Sequence, residues 1–416
     1  MGANGVLDRL TPEHELTAPP RRAAMAFILV TIMLDMLAMS LVIPVLPRLV
    51  LGFMHGNTAT ASRIIGIFGT AWALMQFIFS PILGSLSDRF GRRKVILISN
   101  VGLGLDYILM ALAPGITLLF AGRIISGVTA ASMSTAQAYI ADVSPPDKRA
   151  ANFGLMSVAF GLGFILGPAF GGVLGQINPR LPFWVAAGLS LGNACYGFFI
   201  LPESLKWSDR REFSWAKANP LGSLVFLRGH VGLLPLAAVH FLIWLSRAIL
   251  PAIMVLYVTY RYHLSIASIG LLFAGVGACS MVVGGLLVKP IVGRLGEHVT
   301  LIIGLLCGAV GMAVFGAAAS IVWLAAAGIP LMALLGLAAP GLQGLMTRRI
   351  SPSEQGRLQG ALGSVMAIAQ MIGPGLFSFL FAGSLAAHAA PGIPFYVAAG
   401  LLVVAAGVTR GAARLA

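Results

Sequence analysis

The sequence predicts an all-α integral membrane protein, with twelve transmembrane helices in two pseudo-symmetric six-helix bundles. Three observations carry this. Of 416 residues, 58% are hydrophobic and 10% charged, whereas water-soluble domains carry roughly 25% charged residues. The apolar stretches approach the ~20 residues that cross a bilayer, and they lack the period-two alternation of a membrane β-barrel. Basic residues collect on alternate sides of these stretches, and short motifs recur at a nearly constant offset.

The spans are read at 23–46, 62–83, 94–114, 117–140, 151–175, 182–202, 231–258, 267–288, 299–319, 322–346, 358–382 and 393–410. With the N-terminus inside, 21 of the 27 Lys and Arg fall in inside segments. Four (Arg48, Arg63, Arg180 and Arg261) fall outside, and Arg123 and Arg247 lie within spans. Lys and Arg stay on the cytoplasmic side, so both termini are expected in the cytoplasm and the span count is even. The net charge of +14 then marks topology and argues against nucleic acid as a partner. Residues 1–22 read as a cytoplasmic tail, 23–202 and 231–410 as the two bundles, 203–230 as a charged cytoplasmic linker and 411–416 as a second tail. The first span is too long for a signal-peptide core. With 51 Gly and 23 Pro, the helices are expected to pack through small residues and in places to break. Cys195, Cys279 and Cys307 fall in apolar runs and read as packing residues.

The halves read as a duplication. Ser144-Pro145-Pro146-Asp147 recurs as Ser351-Pro352-Ser353-Glu354, Gly154 as Gly360, Gly167-Pro168 as Gly373-Pro374, and Arg89-Phe90-Gly91 as Arg294-Leu295-Gly296. Two halves related by an axis along the membrane normal form a known transporter architecture, with the substrate site between them near the midplane. No Walker loop, HExxH, GxSxG or metal-ligand cluster occurs, so neither an enzyme nor a cofactor or metal is expected.

A charge at mid-bilayer costs at least a few kcal/mol, so an intramembrane ionisable group is a functional candidate. The candidates are Asp35, Asp106, Arg123, Arg247 and His240. Asp35, near the middle of span 1, is placed to bind a proton from one side and release it when a substrate arrives. Asp106 lies at similar depth on span 3 and reads equally as a coupling or a structural carboxylate. Arg123 shares a stripe with residues 127, 130, 134 and 137. Beside Asp35 it would set that group's hold on its proton; otherwise it snorkels to the interface. His240, Trp244, Arg247 and Pro251 are spaced i, i+4, i+7, i+11, hence on one face. Arg247 lacks an acidic partner in its own half, so it is expected to balance Asp35 across the cavity or to contact an anionic part of the substrate. His240 is either a proton carrier or a polar packing residue. Trp72, Gln76, Trp244, Gln343, Gln359 and Gln370 complete a mostly apolar cavity suited to amphiphilic molecules.

The stretch Gly84-Ser85-Leu86-Ser87-Asp88-Arg89-Phe90-Gly91-Arg92-Arg93-Lys94 sets five charges between two apolar runs. Asp88 is expected to cap the start of span 3 or a neighbouring helix. Arg89 is expected to reach Asp142 and latch the cytoplasmic face. On span 5, Gly163, Gly167, Gly171 and Gly172 leave a smooth stripe bent by Pro168. It is expected to build the half-to-half contact, with Gly373 and Pro374 as its counterpart on span 11.

The loop resembles the Gly-x-x-x-Asp-Arg-x-Gly-Arg-Arg signature of the major facilitator superfamily. Leu34-Asp35 with Pro44-Val45-Leu46-Pro47, Leu105-Asp106-Tyr107, and the Gly341–Gly344 and Gly356–Gly360 segments resemble its tetracycline-resistance efflux branch of drug:proton antiporters. Gly122-Arg123 with Gly127 is similar to the superfamily's span-4 arginine motif, linked there to proton transfer. Gly161–Gly172 is similar to its antiporter motif. The branch also carries a buried span-9 aspartate and a span-8 histidine, where this chain reads Leu305-Leu306-Cys307-Gly308-Ala309 and Cys279-Ser280. The resemblance therefore implies a monomeric inner-membrane antiporter with a small amphiphilic drug, protons and lipid as its partners, and leaves the particular drug open. The alternative is a proton-linked metabolite or sugar carrier of the same fold.

Overall fold

The computed structural model describes residues 21–129, 132–145, 148–205, 207–210, 224–230, 232–351 and 354–413. The expected N-terminal tail up to residue 20, most of the linker and residues 414–416 lie outside the described residues.

Among the described residues, eleven helical segments are long and apolar enough to cross a membrane. One of them, Ile266–Ala317, has 52 residues. At 1.5 Å per residue it would measure about 78 Å, more than twice a ~30 Å hydrocarbon core. It is two crossings: Gly296 breaks the helix with φ 74°, ψ 170°. Counted so, the spans number twelve. Spans 1–7 are Ala24–Phe53, Thr58–Phe90, Arg92–Leu112, Ile116–Val143, Ala151–Ile177, Leu181–Ile200 and Leu233–Tyr262. Spans 8 and 9 lie on either side of Gly296, and spans 10–12 are Ile321–Thr347, Gln355–Ala386 and Ile393–Gly411.

Several spans are interrupted, as the proline and glycine content leads one to expect. Span 1 unwinds into a turn over residues 42–45, because Pro44 cannot donate to the helical ladder and Pro47 starts a new helix, Leu46–Phe53. Span 7 splits into Leu233–Arg247 and Ile249–Tyr262. Pro251 there removes the amide that would have bonded the Arg247 carbonyl. Ala248 N instead donates to both Trp244 O and Leu245 O, at 3.1 and 3.2 Å.

Within the first half, span 1 packs on spans 5 and 6, and span 3 on span 6; within the second, span 9 packs on spans 10 and 12, and span 7 on spans 11 and 12. Two helix pairs make most of the contact between the halves, span 2 with span 11 and span 5 with span 8, and span 7 adds smaller contacts with spans 1 and 2. Both pairs close at the end remote from the termini. Ser62 Oγ donates to Ser378 O at 2.9 Å, Arg48 donates to Leu264 O, and Gly172 lies against Ile266 and Gly270. Toward the terminus-bearing end the contacts thin to Gly161 against Met281, and beyond that a Cβ added at Gly84, Gly154, Gly284, Gly285 or Gly356 would meet no atom within 4 Å. The halves thus part at that end, leaving Leu155, Val158, Leu162 and Leu286 exposed.

Candidate functional site

Asp35 sits in a polar niche formed by three spans of the first half. Asn193 on span 6 donates its amide to Asp35 Oδ1 at 2.8 Å and to the Thr31 carbonyl at 3.0 Å. Asn100 on span 3, with its amide turned to suit its neighbours, donates to both Asp35 oxygens at 3.2 Å and accepts from Asn193 at 3.1 Å. Both asparagines are buried, at 0% and 1% exposure, while Asp35 itself is half-buried. The amides can therefore hold the carboxylate while one side of it stays reachable. The search for proton-handling groups in the sequence rests on ionisable residues, and the cavity candidates include glutamines but neither Asn100 nor Asn193. Their signal was an amide side chain inside an apolar span, where an unsatisfied polar group costs several kcal/mol.

Arg123 takes a different place from the one expected. Among the described residues it forms no ion pair with Asp35, and Asp106 on span 3 lies within electrostatic range of it. Arg123 donates to Ser126 Oγ at 3.1 Å, one turn along span 4. Asp106 is 1% exposed, with the Ser126 hydroxyl beside its carboxyl group. The absent Cβ of Gly122 leaves room for this: an added carbon would lie 2.8 Å from Asp106 Oδ1. Tyr107, also buried, lies within electrostatic range of Arg123, Asp106 and Asp35. Spans 3 and 4 thus set a buried carboxyl group and a half-buried guanidinium in the wall of the first half.

On span 7 the sequence spacing does bring its residues together. The His240 and Trp244 rings meet edge-on with centroids 6.2 Å apart, and the Arg247 guanidinium lies 5.5 Å from the centre of the Trp244 ring. Trp72, Gln76, Gln343 and Gln370 are half-buried on spans 2, 10 and 11. Trp72 contributes its backbone to the contact with Gly127 of span 4. Gln359 is exposed in the first turns of span 11, roughly 16 Å along the helix from Gln370; it belongs to the open mouth and not to the midplane. The span-9 segment 305–309, where an acid was looked for, packs on span 10: Leu305 and Ala309 are buried and Gly308 meets Leu335. Cys195, expected to pack, is exposed.

The loop motif is built differently from its sequence reading. Arg92, not Arg89, reaches Asp142, with Nε donating to Oδ2 at 3.2 Å. Arg92 also pairs with Asp88 at 2.5 Å and donates to Ser87 Oγ at 2.6 Å. Arg89 stacks on Phe90, its guanidinium 5.2 Å from the ring centre, because the helix of span 2 continues to Phe90 and carries residue 89 round to its outer side. The cap on span 3 comes from Glu203, at the end of span 6, whose Oε1 accepts from Arg92 N at 2.9 Å. Asp88 is engaged by Arg92 instead. Gly91, at φ 101°, is required here, since a Cβ would collide with the Glu203 carboxylate. Arg93 donates to the Phe198 carbonyl. All these bonds lie within the first half, so the motif ties spans 2, 3, 4 and 6 together while the halves stand apart.

The glycine stripe of span 5 also divides its duties. Gly163, Gly167 and Gly171 receive Met36, Ser40 and Leu41 of span 1, inside the same half. Ser40 Oγ donates to Gly163 O at 2.8 Å. The opposite face of span 5, with Gly161, Ile165, Pro168, Gly172 and Gly175, meets span 8 of the second half, most closely where Pro168 and Gly172 cross Gly270. Span 11 repeats the plan: Gly373 receives Ala248 of its own half, and Pro374 meets Gly69 of span 2 across the divide.

Two half-bundles in contact through paired proline–glycine crossings, parted at one end and carrying isolated charges at mid-span, define a membrane carrier. The chain belongs to the Major Facilitator Superfamily, whose family model matches residues 28–244 and 236–412. It is 36% identical over 390 residues to the tetracycline resistance protein, class C, of Escherichia coli, covering 94% of this chain and 97% of that one. It is 34% identical over 188 residues to multidrug resistance protein 2 of Bacillus subtilis, 45% of this chain and 46% of that one. Among solved structures it is similar to the human organic anion transporter TETRAN, with a TM-score of 0.70, 23% identity, and coverage of 94% of this chain and 100% of the other. At that identity the likeness shows the fold alone.

Proposed function

We propose that this protein exports an amphiphilic drug from the cytoplasm in exchange for protons, by alternating access of its two halves. The observation that carries the reading is Asp35: a carboxyl group at mid-span, reachable on one side and cradled by Asn100 and Asn193. Its relatives' names, tetracycline resistance and multidrug resistance, support drug efflux. In the conformation described, the halves part at the end bearing the termini, which the basic loops assign to the cytoplasm. A drug enters from that side. Its arrival and a proton's departure are linked through Asp35, with Asp106 and Arg123 as a second charged pair deeper in the wall. The halves rock on the Pro168–Gly270 and Pro374–Gly69 crossings. The loop network around Arg92 keeps the first half rigid as it moves. Residues 23–202 and 231–410 act as the rocking units, in one copy of the chain, in the cell inner membrane.

The test uses inside-out membrane vesicles containing the full chain. Respiration should drive accumulation of tetracycline or another amphiphilic drug. Asp35→Asn should abolish uphill accumulation and preserve drug counterflow down a gradient. Undiminished uphill transport in that variant would end the assignment.

A further inference from the structure

We infer that the central site takes an anionic amphiphile, bound by its acidic group to Arg247 with its ring system beside Trp244. This deepens the efflux reading above and rests on it.

Arg247 is the fifteenth residue of the 30-residue span Leu233–Tyr262, so it stands at the middle of the membrane. Its side chain is exposed, yet it lies deep among protein atoms. Both hold only if it faces an open space inside the bundle. Span 7 turns its other faces to spans 11 and 12, and beside Arg247 it presents Leu245 and Ala248 to Gly373 of span 11.

No carboxylate answers this charge. Only two of the 13 acidic residues, Asp35 and Asp106, lie at mid-span. The first is engaged by Asn100 and Asn193 on the far wall; the second is buried on span 3, where the cation acting on it is Arg123. Among the described residues Arg247 forms no ion pair, and its guanidinium rests on the face of Trp244. The alternative raised by the sequence, that it balances Asp35, is not realised in this conformation. A guanidinium in the middle of a membrane without a counter-charge is costly, and a bound anion supplies that charge.

The geometry also selects the kind of anion. A guanidinium offers a planar fork matched to a carboxylate, sulfonate or phosphate. Trp244 holds that fork against its ring, and His240 follows one turn further at 6.2 Å. The result is a short aromatic wall with a cation at its end, suited to a flat apolar body bearing an acidic group. A permanently cationic amphiphile would instead bring a like charge to Arg247.

The test compares two probes sharing one ring system: naphthalene-2-sulfonate and (naphthalen-2-ylmethyl)trimethylammonium. Both are offered to energised inside-out vesicles containing the full chain, with uptake by vesicles lacking it subtracted. The sulfonate should accumulate and the ammonium should not. Arg247→Gln should lower sulfonate accumulation by about ten- to a hundredfold, as for the loss of a hydrogen bond to a charged group, and Arg247→Lys should retain a measurable part of it. Retention by the lysine variant, together with equal amounts of all three proteins in the membrane, separates charge recognition from misfolding. Accumulation of the ammonium alone, or an undiminished Arg247→Gln variant, overturns the inference and leaves drug efflux standing. If neither probe moves, the inference also falls, and the Asp35→Asn experiment judges the efflux reading separately.

Discussion

Glu297 accepts a hydrogen bond from Arg348 at 3.0 Å at the place where, in the first half, Arg92 gives one to Asp142 at 3.2 Å. Residues 92 and 297, and residues 142 and 348, are separated by the offset of the internal repeat. The loop residue is basic and the helix end acidic in the first half; in the second the charges are exchanged. Each loop residue follows a glycine in the left-handed region, Gly91 at φ 101° and Gly296 at φ 74°. The duplication has kept the backbone turn and the pairing while reversing the polarity of the pair.

The two pairs should differ in strength. Arg92 has a side-chain exposure of 10%, whereas Arg348 has 75%. Asp142→Asn should cost about 1.5–3 kcal/mol, the range for hydrogen bonds to charged groups. Glu297→Gln should cost less than about 1 kcal/mol, as for surface pairs. Thermal unfolding of the purified variants in detergent measures both; an equal or larger loss at Glu297 would contradict the ranking.

Asn193 should matter to coupling more than to transport itself. Its amide bonds Asp35 and the Thr31 carbonyl, so Asn193→Ala frees one side of the Asp35 carboxyl without touching the second half. Uphill export should fall about tenfold, the effect of losing one charged hydrogen bond, while counterflow is preserved. A parallel loss of both activities would instead mark Asn193 as a folding residue.

The Pro168–Gly270 crossing should control which end of the protein opens. A Cβ on Gly270 would run into the Pro168 carbonyl and the Gly172 backbone, neither of which can turn aside. Overpacking costs about 1–3 kcal/mol. Gly270→Ala therefore shifts the population roughly five- to 150-fold toward conformations in which these ends stand apart. Spin labels on the ends of spans 5 and 8 remote from the termini should report longer distances in the variant. Unchanged distances would show that the crossing does not govern opening.

Glu354 supplies a pH-dependent contact at the head of span 11. Ser351 holds its carboxyl below the usual range, through the hydroxyl at 2.7 Å and then the backbone amide at 3.3 Å, with a smaller share from His230 at 3.3 Å. A depressed carboxyl stabilises the fold above the ordinary carboxylate range and loses that contribution as pH falls through its own lowered value. Ser351→Ala should move the Glu354 titration upward. Carbon NMR of the labelled carboxyl follows this directly, and an unmoved midpoint would assign the effect elsewhere.

Much of this protein was legible in its chain. Twelve apolar runs, one-sided basic loops and a repeat of constant offset require two similar helical bundles, because a bilayer admits few other ways to satisfy a backbone. Candidate charges such as Asp35 and Arg247 could be found from burial cost alone. What pairs with what could not. Arg89 and Arg92 are three residues apart, and only the continuation of span 2 to Phe90 decides which of them turns toward Asp142. Asn100, Asn193 and Glu203 come from other spans, at sequence distances that no local pattern reports. The glycines of span 5 look alike in the chain, and the crossing of two helices sorts them into contacts within one half and contacts between halves. Sequence by itself determined which segments enter the membrane, since transfer into oil is settled residue by residue. Tertiary structure alone decided the partners, since a hydrogen bond or a close glycine contact depends on a neighbour's position to within an ångström.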